Sequence, residues 1–228
     1  MLIEKEKLIE KTSKLRVIIL TANRFEDMEL FYPYFRLLEE GIQVDVAAPR
    51  KQKLTGEHGY VFENVDLSFA KVNPEAYDLL LLPGGAPDGA PSRVRKSRNA
   101  QYIAQAFFAK NKPVAAICHG PYTLISANVI KGRHLTGYWY DGVPEEIKTA
   151  GGLYEDKEVV VDGNLVTSRW PADLPAFMRE TMKMIRQQKN GAVATGAKRK
   201  FHRSGRQNPK DKEGRLKDDA FYRTFTGL

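Results

Sequence analysis

Four short strand-like runs, three of them almost unbroken in apolar residues, constrain this chain more than any other feature: RVIILTA (16–22), IQVDVAA (42–48), DLLLL (78–82) and PVAAI (113–117). A strand with one face in water alternates apolar and polar residues. A run that is apolar nearly throughout is buried on both faces, as in a parallel sheet covered by helices on each side. The segments between the runs fit that requirement. Asp27 to Glu40 carries Met28, Leu30, Phe31, Tyr34, Phe35, Leu37 and Leu38 at helical spacing, with Gly41 as its stop and Pro33 as an expected kink or delay. Helices are also predicted over 94–110, 122–130 and 172–188, with a shorter one at PEEIKTAG. HLTGY reads as a strand, and Gly56 to Val72 as an irregular or hairpin excursion. VVVDGNLVTS (159–168) places two apolar runs around Asp-Gly, the signal of a hairpin. Such alternation predicts a three-layer α/β sandwich with a mostly parallel sheet.

A chain of 228 residues with 42% hydrophobic content can bury one good core. The reading is an N-terminal extension (1–14), an α/β domain (15–188) and a C-terminal extension (189–228). The net charge of +8 suggests a nucleic-acid partner until it is divided along the chain. Residues 189–228 hold eleven Lys or Arg against four Asp or Glu, and so carry seven of the eight charges. A basic tail of this kind is more often a solvated extension than a nucleic-acid contact. No run reaches the length of a membrane helix, and the charged start lacks the apolar stretch of a signal peptide, so a cytoplasmic protein without membrane contact is expected. A single cysteine excludes an intrachain disulfide and a cysteine-based zinc site. The four histidines (58, 119, 134 and 202) show no ligand spacing, so neither metal nor cofactor is expected.

That one cysteine, Cys118, ends the fourth run and precedes His-Gly-Pro, which places it at a strand-to-helix corner. Sites in open α/β sheets gather outside the carboxyl ends of strands. Three such ends are polar or glycine-rich here: TANRFED, PGGAPDG and CHGP. A thiol at a helix N-terminus is acidified by free N–H groups and the helix dipole, which predicts a depressed pKa and a nucleophile. The N–H groups of His119 and of the Gly84-Gly85 turn are candidate donors to an oxyanion.

Several pieces in order, TANRFEDMELFYPYFRL, TGEHGY, LLLPGG, PVAAICHGP and VVVDGNLVTSRWPADLPAFMRE, resemble the ThiJ/PfpI superfamily of DJ-type proteins over about residues 15 to 188. The resemblance implies a flavodoxin-like fold shared with class I glutamine amidotransferases. It implies Cys118 as nucleophile, Glu26 hydrogen-bonded to its sulfur, and Tyr138 near the site. It also implies a homo-oligomer, a dimer or a hexamer. Peptidase members complete a Cys-His-Glu triad with a glutamate shortly after the PGG turn. Here Ser92 stands at that place, and Asp88 is the carboxylate in reach.

Three functions follow from the resemblance. The first is a glutathione-independent glyoxalase or deglycase, in which Cys118 adds to a small carbonyl and Glu26 relays protons. The second is an intracellular peptidase or amidase, with His119 protonating the leaving amine of a peptide substrate. The third is a redox sensor or holdase built on oxidation of Cys118.

Overall fold

The computed structural model describes residues 15–189. The runs that open the sequence argument form the centre of a seven-stranded sheet: β1 (Arg16–Leu20), β2 (Gln43–Ala48), β6 (Leu79–Leu82) and β7 (Val114–Ile117). The edges are β5 (Leu67–Ser68) on one side, and β10 (Val159–Asp162) with β11 (Leu165–Ser168) on the other. The order is β10-β11-β7-β6-β1-β2-β5, and every pairing is parallel except the β10–β11 hairpin. All four residues of β6 and of β7 are buried. Both faces must therefore be covered.

Two groups of helices cover them. α1 (Asp27–Glu39) packs beside α6 (Leu174–Lys189), while α2 (Ala90–Arg95), α3 (Arg98–Ala109), α4 (Pro121–Ser126) and α5 (Val143–Thr149) pack against one another. Fully buried Ile18, Ile19, Leu80, Leu81, Phe107 and Phe177 fill the space between the layers. Each such side chain contributes about 1.5–3 kcal/mol of burial. This is the flavodoxin-like three-layer α/β sandwich. Two small two-stranded sheets lie outside it: the hairpin of β3 (Leu54–Thr55) with β4 (Val61–Phe62), and β8 (His134–Leu135) paired in parallel with β9 (Leu153–Tyr154).

Several boundaries differ from the sequence reading. The helix expected over 94–110 is two helices, because Ser97 adopts an extended conformation and caps α3 through its side chain on the Ala100 N–H. Pro33 does not delay α1, which runs from Asp27 to Glu39 with the proline inside it. The helix expected to reach Ile130 stops at Ser126, and Asn128 follows in a left-handed conformation. HLTGY supplies only the two residues of β8. The proposed extensions 1–14 and 189–228 lie outside the described residues, apart from Lys189 at the end of α6. Among the described residues no helix is long and apolar enough to cross a membrane.

Chain direction reverses at β1. The chain passes from β1 to β2 on one side, then crosses to β6 on the other. The loops after β1 and β6 therefore diverge and leave a crevice at the carboxyl end of the sheet. They are tied across its rim by the isolated Phe25–Gly85 bridge and by a hydrogen bond from the Ala86 N–H to the Arg24 carbonyl, 3.2 Å.

Candidate active site

Cys118 leaves β7 with φ +61°, a left-handed conformation that an L side chain adopts only under constraint. Three backbone hydrogen bonds supply the constraint. The Cys118 N–H donates to the Ser168 carbonyl at 3.1 Å, its carbonyl accepts from the Tyr138 N–H at 2.9 Å, and the Gly120 N–H closes back onto the Ile117 carbonyl at 2.8 Å. The chain is thereby bent so that the thiol faces the crevice, where it is 6% exposed. Gly84 passes so close that a Cβ there would lie 2.6 Å from the Cys118 Cβ and 2.7 Å from a Glu29 carboxyl oxygen. Only glycine fits.

The carboxyl group against the sulfur belongs to Glu29. This side chain is completely buried, accepts from the Gly84 N–H at 2.7 Å and lies beside the Cys118 thiol, both groups crowding the place where a Gly84 Cβ would be. Glu26, which the resemblance assigns to that place, is one step removed. It is the N-cap of α1, accepting from the Glu29 N–H at 2.7 Å, and its other oxygen lies 3.7 Å from His58 Nε2. Each carboxyl has one buried oxygen without a hydrogen-bond partner. Burial is the main cause that raises both: Glu26 is pushed up to about 8, and Glu29 well above the usual carboxylate range, with the Glu26 charge adding to it. Burial thus favours the protonated form of each.

The thiol does not follow the expected direction. Burial pushes Cys118 up, and the Glu29 and Glu26 carboxylates push it further. The backbone N–H groups of His119 and Gly85, aimed at the sulfur, oppose them. The helix behind the corner has only six residues, so its dipole is a small term. Protonating the carboxyls removes the opposing charge and leaves the N–H donors to hold a thiolate. The charge of the carboxyls thus controls how readily the sulfur ionises.

The His119 side chain faces the site as well. Nδ1 is 3.3 Å from Cys118 Sγ and Nε2 is 3.2 Å from Asp141 Oδ2. Desolvation lowers the imidazole pKa, while the Asp141 charge and hydrogen bond raise it. Tyr138, named through the resemblance, holds its ring 4.9 Å from that of His119, tilted by 46°. The structure therefore brings Cys118, His119, Gly85 and Tyr138 together. Asp88 is placed otherwise, as an exposed carboxylate paired with Arg24 at 2.6 Å, and Ser92 lies within α2. Two site residues went unread in the sequence: Glu29 and Asp141.

Comparison with known proteins bears on this geometry. Residues 15–184 match the family model described as the DJ-1/PfpI family. A deglycase of Pyrococcus horikoshii is 52% identical over 172 residues, 75% of this chain and 100% of the relative. The deglycase PfpI of Pyrococcus furiosus is 51% identical with the same coverage. The putative cysteine protease YraA of Bacillus subtilis is 36% identical over 75% of this chain and 98% of its own length. Among solved structures, a two-domain protein of Anabaena variabilis with DJ-1/ThiJ/PfpI-like and ferritin-like domains superposes with a TM-score of 0.69 at 30% identity. That match covers 83% of this chain and 54% of the other. DJ-1 of Schizosaccharomyces pombe shares the fold, with a TM-score of 0.66 at 20% identity over 82% of this chain and all of the other. By the extent of the family match and the identity of these relatives, the chain belongs to the DJ-1/PfpI family.

Proposed function

We propose that this chain is a cysteine-dependent enzyme acting on reactive carbonyl compounds and their adducts, the activity for which its archaeal relatives are named deglycases. The observation that carries the reading is the fully buried Glu29 carboxyl beside the Cys118 thiol, both against Gly84. Cys118 Sγ adds to an aldehyde carbon while the carbonyl oxygen takes a proton, giving a hemithioacetal. Glu29, whose burial favours its protonated form, is placed to supply that proton. As a carboxylate it then removes the proton from the carbon bearing sulfur and delivers it to the neighbouring carbonyl carbon of a 2-oxoaldehyde, while the hemithioacetal hydroxyl proton passes to that carbon's oxygen, leaving a 2-hydroxy thioester. Water releases the thioester as a hydroxy acid and restores the thiol.

A second reading, peptidase or amidase, is favoured by one observation. Asp141 stands 3.2 Å from His119 Nε2, so an acid, imidazole and thiol line up without the carboxylate expected after the PGG turn. Turnover of methylglyoxal and of short peptide amides by the same preparation separates the two. Methylglyoxal should be consumed by the wild type and not by Cys118→Ala. Glu29→Gln should lose about 10²- to 10⁴-fold in rate, the usual worth of positioned general acid–base help. Cleavage of amides with no consumption of methylglyoxal would replace the first reading by the second.

Cytoplasmic location and a homo-oligomer, dimer or hexamer, belong to the same proposal. α1 leaves Met28, Tyr32, Phe35 and Leu38 exposed, in keeping with a further copy of the chain, and light scattering in solution tests it.

A further inference from the structure

Asp141 comes from the irregular loop between β8 and α5, and its placement is fixed by contacts that the carbonyl chemistry does not use. It has φ +58°, and Gly142 follows with φ +78°, so two successive left-handed residues turn the chain at that point. The Tyr122 hydroxyl donates to the Asp141 backbone carbonyl at 2.7 Å. The Tyr122 ring lies 5.5 Å from that of His119 and carries the Arg95 guanidinium on its other neighbourhood, 4.2 Å from the ring centroid. Arg95 is fixed in turn by a two-pronged ion pair with Glu146 of α5, at 2.5 and 3.1 Å, and by a bond to the Ser126 hydroxyl at 3.1 Å. Three helices thus hold the phenol in place, and the phenol holds the loop.

We propose that Tyr122 and Asp141 are a positioning pair that holds His119 against Cys118 within a single chain, Tyr122 acting through the Asp141 backbone. The inference rests on Cys118 as the nucleophile, and deepens that reading by assigning the group that orients its imidazole. When the thiol ionises, the S–H bond breaks, its electron pair stays on sulfur and the proton passes to His119 Nδ1. The Nε2–H of the resulting imidazolium points at Asp141 Oδ2. The same proton returns from Nδ1 to whatever group leaves the sulfur adduct. Without Asp141 the ring loses both its orientation and the charge that favours imidazolium. Facing the ring besides Asp141 are Cys118 Sγ, the Gly85 backbone and the rings of Tyr122 and Tyr138. Arg95 and Glu146 lie behind Tyr122.

Ring-nitrogen NMR titration of the full chain tests the assignment without any substrate. The chain has four histidines, and His119→Gln identifies the resonance. The His119 midpoint should fall by about one pH unit in Asp141→Asn, the low end of the effect of a neighbouring opposite charge, because the carboxylate is half-exposed. Tyr122→Phe keeps the ring packing and removes one hydrogen bond. It should move the midpoint the same way by less, and slow alkylation of Cys118 at pH 6 by about 5-fold. The double variant should behave as Asp141→Asn alone. A midpoint unmoved in both single variants overturns the proposal, as do effects of the two that simply add. If Tyr122→Phe fails to fold, Asp141→Asn alone decides. Shifts seen in a protein that ignores methylglyoxal would leave this assignment standing and overturn the carbonyl reading.

Discussion

Replacing Glu26 by glutamine should make the protein more stable, and increasingly so as pH rises. The amide keeps an oxygen that can accept from the Glu29 N–H, the 2.7 Å bond that caps α1, and gives up only the charge. The folded state raises the Glu26 pKa from 4.5 to about 8, chiefly by burial. A carboxyl raised in this way binds its proton more tightly in the folded than in the unfolded chain. Its contribution is complete below about pH 4.5 and is lost as pH climbs through 8. At about 1.4 kcal/mol per unit, the wild type gives up roughly 1 kcal/mol at pH 5 and about 4 kcal/mol at pH 8. The Glu26 charge also acts on Glu29, so the part assignable to Glu26 alone is smaller. A differential of at least ~2 kcal/mol between the two pH values should remain. Urea unfolding at pH 5, 6, 7 and 8, at fixed protein concentration, measures it, and equal slopes with urea confirm that the unfolded states are comparable. Parallel decline of wild type and variant would refute the reasoning, because it would mean that Glu26 carries its charge in the folded protein at no cost.

Gly84→Ala should destabilise by about 1–3 kcal/mol, the usual cost of overpacking, because its Cβ would fall 2.6 Å from the Cys118 Cβ; thermal unfolding reads the loss, and slower alkylation of the thiol should accompany it. The pH profile of iodoacetamide alkylation should lie above that of an ordinary thiol in the wild type and move down in Glu29→Gln, since the variant removes a charge that raises Cys118. An unmoved profile would detach Glu29 from the sulfur. Asp88→Asn should leave methylglyoxal turnover within about twofold and stability within about 1 kcal/mol, as expected for an exposed ion pair with Arg24.

The sheet was legible because its signal is thermodynamic and local. Strands buried on both faces cannot carry polar residues cheaply, so RVIIL, LLLL and VAAI announce themselves, and the Gly-Gly and Cys-His ends that follow mark where function collects. Helix limits were less legible because competing local bonds set them. Ser97 caps α3 with its own side chain and divides what looks like one apolar stripe. Asp141 was out of reach for a different reason. It meets His119 across 22 residues of chain, through a loop whose path depends on the Tyr122 hydroxyl and on two left-handed residues. Asp-Gly marks the turn, but nothing in it names the partner.

The assignment of Glu26 rather than Glu29 shows what a resemblance can miss and capping can correct. In EDME the two glutamates are three residues apart at the start of a helix, which is the spacing at which an N-cap side chain reaches the N–H of the third helical residue. Placing the cap at Glu26 puts Glu29 in the first turn. Its register there decides its fate: Leu30, Pro33 and Leu37 are the buried positions of α1, and Glu29 sits beside Leu30 on the side that faces the sheet. A carboxyl carried to that side has no water to ionise into, so it must find a donor or keep its proton. It finds the Gly84 N–H with one oxygen and leaves the other unpartnered. Glu26 is buried beside it in the same condition, which neither a cap nor a packing role requires. Two protonatable groups kept dry next to a thiol are costly to stability, and the cost is concentrated where a proton must be moved.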